Sequence, residues 1–258
     1  MTGGRLAVVG LGPGPPAWRS PEASARLAAA TDLVGYGPYL DLVGALEHEP
    51  RRHEFDNRQE ADRADVALDL AADGRDVVVV SSGDPGIFAM ATAVIESLEQ
   101  RTARGDPLVE VTIVPGITAA SAAAARVGAP LGHDFCCLSL SDVLKPWEIV
   151  ERRLVAVVTA DFVVALYNPI SRDRPWQFGR ALEIVREHRA PSTPVVLARD
   201  VGRKGEVTRV TTLESVESGD VDMRTVVIVG SSTTRTFIDA GGSTWVYTPR
   251  DYPGSRAS

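Results

Sequence analysis

The heptapeptide SSGDPGI, residues 81–87, decides how the fold of this chain is interpreted. It follows the apolar run of residues 77–80, which is typical of a strand covered on both faces of a parallel sheet. Asp84 and Pro85 are a favourable N-cap and first helical residue, and we predict a helix over residues 87–98. The heptapeptide is therefore predicted to be a loop at the carboxyl end of a parallel strand, where open α/β sheets bind ligands.

Short β-branched runs alternate with longer alanine-rich segments of helical period along the chain. Such alternation predicts α/β layers with mostly parallel sheets. The pattern changes toward the C-terminus, where strands predicted at residues 206–212 and 225–229 are separated by only about a dozen residues, too few for a crossover helix. We therefore predict two α/β domains, residues 1–115 with a mostly parallel sheet and residues 116–258 with a mixed sheet.

A second glycine-rich loop, GLGPG at residues 10–14, follows the first predicted strand. A dinucleotide loop needs the pattern GxGxxG and backbone amides that donate to pyrophosphate. Here Pro15 occupies the position of the third glycine, and Pro13 and Pro16 likewise have no amide hydrogen to donate. Asp32 opens the second predicted strand, whereas the acid that binds ribose would close it. NAD is therefore disfavoured, and two interpretations stay open: a sharp structural turn, or a loop that passes close to another ligand.

A third loop, PGITAA at residues 115–120, again leads from a predicted strand into a helix of small side chains. Thr118 either begins that helix or offers its hydroxyl to a polar ligand. The three loops should open at the same sheet edge, because each follows a strand of one parallel sheet. Their small, neutral side chains suit adenosine and a zwitterionic methionine better than a nucleoside triphosphate, for which the chain has no GxxxxGK[ST] loop.

The composition limits the partners of the protein. Hydrophobic residues make up 44% and charged residues 24% of the chain, as in soluble globular proteins, and the net charge of −7 argues against nucleic acids and anionic membranes. Adjacent Cys136 and Cys137 and four scattered histidines lack metal-ligand spacing, so we predict no metal site. No apolar run is long enough to cross a membrane, and a strand predicted from Leu6 leaves no room for a signal peptide. We therefore expect a cytoplasmic protein.

The ordered motifs resemble those of the tetrapyrrole methylase family. The resemblance rests first on GLGPG at residues 10–14, SGDP at 82–85 and GITA at 116–119, and it extends over nearly the whole chain. Further segments are most similar to the cobalamin-pathway members of the family that methylate C17 of precorrin-3B. They are YGPYL at 36–40, PLGHDF at 130–135, SLSD at 139–142, WEIVERRL at 147–154, ALYNP at 165–169 and VGSS at 229–232.

The resemblance implies two α/β domains with S-adenosylmethionine in the cleft between them, S-adenosylhomocysteine as product, and a homodimer. The implied reaction methylates precorrin-3B at C17 and contracts the ring to precorrin-4. The alternatives are another precorrin carbon or the cobalt-containing intermediate as acceptor. Carried over by position, the cofactor-binding residues are Pro13, Ser82, Gly83, Asp84, Ile87, Thr118, Ala119, Tyr167, Asn168 and Ala198.

Ring contraction needs a general base on a ring hydroxyl, and the candidates near predicted loops are Asp84, His133, Asp142 and Tyr36. The residues alone do not choose among them. A macrocycle that carries carboxylates also needs cations, and Arg172, Arg174 and Arg199 follow predicted strands of the second domain. Two rival functions stay open, a nicotinamide-dependent oxidoreductase and a tetrapyrrole carrier without catalysis.

Overall fold

The computed structural model describes residues 4–252. The chain divides into two compact units between Thr118 and Ala119, just beyond the joint predicted after Pro115. Each unit is built around a β-sheet of its own.

The first unit is a parallel sheet with helices on both faces. Its described strands are β1 (Arg5–Gly10), β2 (Asp32–Tyr36), β3 (Arg51–Phe55), β4 (Asp76–Ser81) and β5 (Glu110–Val114). Its helices are α1 (Pro21–Ala29), α2 (Gly37–Asp41), α3 (Glu60–Ala72) and α4 (Met90–Arg104), with a short 3₁₀ turn at Pro16–Trp18. The strand order is β3-β2-β4-β1-β5, and each neighbouring pair is parallel. The predicted parallel sheet of the N-terminal domain is thus confirmed.

Burial explains why the central strands could be predicted from the sequence. In β1 and β4, every residue after the first is buried. Side chains of α1 and α2 cover one face of the sheet, and those of α3 and α4 cover the other. Strand β3 was not predicted, because its sequence RRHEF is polar and only its His53 and Phe55 are half-buried at the sheet edge.

The second unit contains a mixed sheet, as predicted. Its described elements are α5 (Ala119–Val127), β6 (Gly128–Ala129), β7 (Phe135–Ser139), α6 (Trp147–Thr159), β8 (Val163–Tyr167), α7 (Gln177–His188), β9 (Pro194–Arg199), β10 (Val207–Thr212), a 3₁₀ turn (Ser218–Asp220), β11 (Thr225–Val229), β12 (Arg235–Ile238) and β13 (Thr244–Tyr247). The main sheet has the order β10-β9-β11-β8-β7, in which β7 and β8 are parallel and the other pairs are antiparallel. A smaller sheet joins β12, β13 and β6.

Helices α6 and α7 supply the apolar core of the second unit. Leu154 and Val158 of α6 pack with Phe178 and Leu182 of α7 against buried side chains of the main sheet. All four side chains are almost completely removed from solvent. Within residues 4–252, none of the helices has the length and apolarity that a membrane crossing requires.

Candidate functional site

Three loops of the first unit begin at the carboxyl ends of neighbouring strands. They comprise residues 11–14 after β1, residues 82–89 after β4, and residues 115–118 after β5. Strand β1 lies between β4 and β5 and is parallel to both, so these ends lie side by side. The loops therefore meet at the edge of the sheet where α/β proteins bind ligands.

Backbone hydrogen bonds join the first two loops. Leu11 N donates to Ser81 O at 2.9 Å, Gly12 N donates to Gly83 O at 3.1 Å, and Gly83 N donates to Gly12 O at 2.8 Å. Gly12 and Gly83 both have φ of +69°, a conformation that side chains with a Cβ rarely adopt. Glycine is therefore required at both positions by the pairing of the loops themselves.

The third loop packs against the other two through glycine. A Cβ on Gly116 would lie 2.2 Å from Gly83 O, and a Cβ on Gly10 would lie 2.7 Å from Gly116 N. Such distances are not compatible with a methyl group, so only hydrogen atoms at positions 10 and 116 allow the backbones to approach this closely.

Asp84 ties two of the loops together, and it does not cap a helix. Its Oδ1 accepts a hydrogen bond from Gly86 N at 2.8 Å, and its Oδ2 accepts one from Gly116 N at 3.0 Å. The prediction of a helix that Asp84 caps was wrong, because α4 begins at Met90 and its N-cap residue is Ala89. Since both carboxylate oxygens accept backbone hydrogen bonds, the geometry favours a positioning role for Asp84 over that of a general base.

The chemical character of the three loops is neutral. Among residues 10–14, 82–89 and 115–119, Asp84 carries the one charged side chain, and backbone amides donate a hydrogen bond to each of its oxygens. A phosphate would find no cation here, and Pro13 offers no amide hydrogen. Phe88 is 51% exposed and Ile117 is 39% exposed, so the same edge presents apolar surface. The arrangement fits adenosine with a positively charged sulfonium better than a dinucleotide.

In the second unit, two loops follow the neighbouring parallel strands β7 and β8. They comprise residues 140–146 and 168–176. Leu140 N donates to Tyr167 O at 3.0 Å, and Asn168 Nδ2 donates to Ser139 Oγ at 2.9 Å. Asn168 has φ of +51°, one of the few conformations in which asparagine replaces glycine at low cost. Tyr167 and Asn168 thus lie at the carboxyl edge of this sheet, and their part in cofactor binding stays a prediction.

The Arg174 side chain stabilises these loops from inside the unit. The residue is only 6% exposed. Its Nη1 donates to Asn168 O at 3.1 Å and to Leu140 O at 3.4 Å, and its Nη2 contacts Met223 Sδ at 3.2 Å. This guanidinium is engaged by backbone carbonyls. These contacts favour a structural role for Arg174, and its part in substrate binding stays a prediction.

The other residues predicted from the β8 and β9 loops differ in their surroundings. Arg199 is paired with Asp222 at 2.7 Å and with Asp200 at 3.0 Å, so its charge is already balanced. Ala198 is buried inside β9 and pairs with strands on both sides, which places its backbone in the sheet and not in a loop. Arg172 is exposed, and its guanidinium has no partner in the described part of the chain.

The candidates for a general base separate by position. His133 precedes β7 and therefore lies at the amino edge of the sheet, opposite the loops, where its ring packs against Tyr252 at 5.2 Å. This position does not favour His133 as the base, and its role stays a prediction. Tyr36 ends β2, at the edge occupied by the first-unit loops, and its ring packs against Tyr39. Asp142 lies in the loop after β7, and its Oδ2 accepts a hydrogen bond from Gln177 Nε2 at 3.0 Å.

The comparison with known families decides the family of the chain. Residues 5–217 match the family model described as tetrapyrrole (corrin/porphyrin) methylases. The chain belongs to this family. The matched region runs from β1 to the segment that follows β10 and thus includes both groups of loops.

Several relatives of this tetrapyrrole methylase are similar over its whole length. A precorrin-3B C(17)-methyltransferase of Sinorhizobium is 50% identical over 98% of both chains. The cobalamin biosynthesis protein CobIJ of Mycobacterium tuberculosis is also 50% identical, over 97% of this chain, but the chain spans only about half of that relative, 49%. The crystal structure of the methyltransferase CobJ superposes with a TM-score of 0.88 at 50% identity and covers 95% of this chain and all of that one.

A more distant structure supports the fold alone. The uroporphyrin-III C-methyltransferase of Thermus thermophilus, complexed with S-adenosylhomocysteine, has a TM-score of 0.64 at 20% identity. It covers 88% of this tetrapyrrole methylase and 92% of its own chain. The two chains therefore share a fold although four residues in five differ.

Sequence reasoning missed one cation of this tetrapyrrole methylase. Lys145 lies in the loop after β7, is half-buried, and has no hydrogen bond or salt bridge in the described part of the chain. A signal was present in the sequence, since Lys145 lies three residues after the SLSD motif and two residues before α6.

Proposed function

We propose that this tetrapyrrole methylase transfers a methyl group from S-adenosylmethionine to C17 of precorrin-3B and contracts the ring to precorrin-4. The observation that carries the proposal is the 50% identity over 98% of both chains with the Sinorhizobium enzyme of that name. The agreement with CobJ at a TM-score of 0.88 supports it.

The cofactor assignment rests on the first-unit loops. Pro13, Ser82, Gly83, Ile87 and Thr118 lie in the three loops that meet at the carboxyl edge of β4, β1 and β5. Their neutral character suits a methionine zwitterion and an adenosine, and it places no lysine or arginine near a sulfonium. Ala119, the first residue of α5, completes the set that we propose.

The main task of the chain in this reaction is alignment. Bound S-adenosylmethionine supplies a methyl group that is already activated by its sulfonium, so orientation of donor and acceptor can lower the barrier by several kcal/mol. Loops that are joined by backbone hydrogen bonds and by the Asp84 carboxylate are suited to hold such an orientation, because they cannot shift independently.

For the proton that leaves the ring hydroxyl, we propose Asp142 or Tyr36 as acceptor. Asp142 is oriented by Gln177 through one oxygen, and no partner of its other oxygen lies in the described part of the chain. Such a carboxylate, held on one side and open on the other, has the geometry of a general base. Replacement by Asn should remove the acidic limb of the pH–rate profile if Asp142 has this role, and Tyr36→Phe tests the second candidate in the same way.

A cobalt-containing acceptor is the second candidate. A probable cobalt-factor III C(17)-methyltransferase of Salmonella typhimurium is 41% identical over 96% of this chain and 99% of its own. Because this identity is lower, we rank the cobalt-containing acceptor behind precorrin-3B. A different precorrin carbon is a further alternative. Homodimer formation is a proposal that rests on the family resemblance, and light scattering of the purified chain tests it. A cytoplasmic location stays a prediction from the sequence.

The test is transfer of labelled methyl from S-adenosylmethionine under anaerobic conditions, with precorrin-3B and cobalt-factor III offered separately. The proposal predicts faster transfer to precorrin-3B. Preferred transfer to the cobalt compound would establish the second candidate. If calorimetry detects binding of S-adenosylhomocysteine but no methyl is transferred to either acceptor, the result would favour a tetrapyrrole carrier without catalysis. Binding of NADH in place of S-adenosylhomocysteine would favour an oxidoreductase.

A further inference from the structure

Lys145 stands out among the second-unit cations without a described partner because it is half-buried, whereas Arg172 is exposed. The chain has two lysines, Lys145 and Lys204. In the described residues 4–252, the ammonium group of Lys145 has neither a hydrogen-bond acceptor nor a carboxylate partner, although the residue is half-buried. By contrast, Arg174 and Arg199 of the same sheet edge are fully engaged by carbonyls and carboxylates.

The surroundings of Lys145 carry an excess of positive charge. Partial burial lowers the pKa of Lys145, and the guanidinium of Arg153 lowers it further. The carboxylate of Asp142 opposes this effect, while the buried Arg174 adds to it. Three cations thus lie near one carboxylate, in a chain whose net charge is −7. A carboxylate brought to Lys145 from a ligand would relieve this imbalance.

Exposed apolar side chains belong to the same loop as Lys145, and an aromatic pair follows it in the chain. Leu144 is 96% exposed and Val143 is 54% exposed in the same loop. Trp147 follows two residues later, and its ring meets that of Trp176 at a centroid distance of 4.9 Å and an angle of 71°. Trp176 is half-exposed and belongs to the loop after β8. We call the surface formed by Val143, Leu144, Lys145, Trp147 and Trp176 the Lys145 surface.

We propose that the Lys145 surface binds the tetrapyrrole substrate, with the ammonium of Lys145 pairing with one peripheral carboxylate and the exposed apolar side chains lying against the macrocycle. The inference rests on the proposed function and names a substrate contact within it. The complementarity is one of charge and of surface, because the ligand class combines carboxylates at the periphery with a large apolar ring system.

The test measures binding of a stable tetrapyrrole polycarboxylate, uroporphyrin III, by fluorescence titration of the full chain. Lys145→Gln should raise the dissociation constant about tenfold, since a charge-assisted pair is lost. Lys145→Arg should restore most of the affinity. Arg51→Gln is the matched control, because it removes the same charge from an exposed residue at the amino end of β3. All variants should bind S-adenosylhomocysteine as tightly as the wild type.

The outcomes separate this inference from the proposed function. Uroporphyrin III binding does not require methyl transfer to C17. A wild type that binds uroporphyrin III but transfers no methyl group would therefore refute the proposed function, and the titration would still test the role of Lys145. Equal affinity of Lys145→Gln and wild type would overturn the role of Lys145, as would a wild type that does not bind uroporphyrin III. A loss of affinity that Arg51→Gln shares would also overturn it, because bulk charge would then be the cause.

Discussion

The close packing of the first-unit loops gives a sharp prediction for Gly116→Ala. The new Cβ would lie 2.2 Å from Gly83 O and 3.0 Å from the Cα of Gly10, whereas ordinary contacts begin at 3.4 Å. All of these neighbours are backbone atoms, so no flexible side chain can move aside. The loop after β5 must shift by about an ångström, and this shift breaks the hydrogen bond from Gly116 N to Asp84 Oδ2 at 3.0 Å.

The magnitude follows from two terms. Overpacking of a fixed environment costs about 1–3 kcal/mol, and the loss of a hydrogen bond to a charged group costs about 1.5–3 kcal/mol. Partial relaxation keeps each term near its lower end, so we expect a decrease of about 3 kcal/mol in the free energy of unfolding. Because the same loops are proposed to hold the cofactor, the dissociation constant of S-adenosylhomocysteine should rise at least tenfold.

Urea denaturation and calorimetry measure the two effects. Gly219→Ala is the control, because a Cβ at Gly219 meets no heavy atom within 4 Å and its φ is not positive. The control should stay within about 0.5 kcal/mol of the wild type. If Gly116→Ala matches the control in both stability and affinity, the loops do not form the close-packed site described above.

Three further predictions concern carboxylates and thiols. Asp84→Asn keeps one acceptor oxygen and places an amide donor against a backbone N–H. The affinity for S-adenosylhomocysteine should therefore fall several-fold while the pH–rate profile keeps its shape. Loss of a limb of that profile would instead identify Asp84 as a general base. Burial alone would raise the pKa of Asp32, but hydrogen bonds from His53 and Thr31 and the charge of Arg75 outweigh it and hold the pKa below its ordinary value. The stability that this provides is present above about pH 4 and is lost as the pH falls further. Asp32→Asn should therefore lower the free energy of unfolding by about 3 kcal/mol at pH 7 and flatten the acid limb of the stability–pH curve. An unchanged limb would contradict this prediction. Burial raises the pKa of the Cys136 thiol to about 11 and also raises that of Cys137. At pH 8 both thiols should therefore react with iodoacetamide at least tenfold more slowly than free cysteine. Rapid alkylation detected by mass spectrometry would refute the raised pKa of these thiols.

Periodicity and turn chemistry predicted the framework of the fold. The buried strands β1, β4 and β11 carry continuous apolar runs, and each was located within a residue of its true position. The mixed sheet of the second unit followed from the short spacing between β10 and β11. Strand β3 was missed because polar edge strands have no apolar pattern to detect.

The site was predictable as far as it depends on neighbours in the chain. The glycine loops could be found because each adjoins a strong strand. The start of α4 could not, because Asp84 bonds to Gly116, which is far away in sequence. The burial of Arg174 likewise depends on Asn168, Leu140 and Met223 meeting around it.

NMR of the product formed from precorrin-3B and ¹³C-methyl S-adenosylmethionine locates the transferred methyl group and reports the size of the ring. We predict one labelled methyl group on C17 and a contracted ring. A label on a different carbon, or a product methylated at C17 that keeps its ring size, would contradict the assignment of this tetrapyrrole methylase.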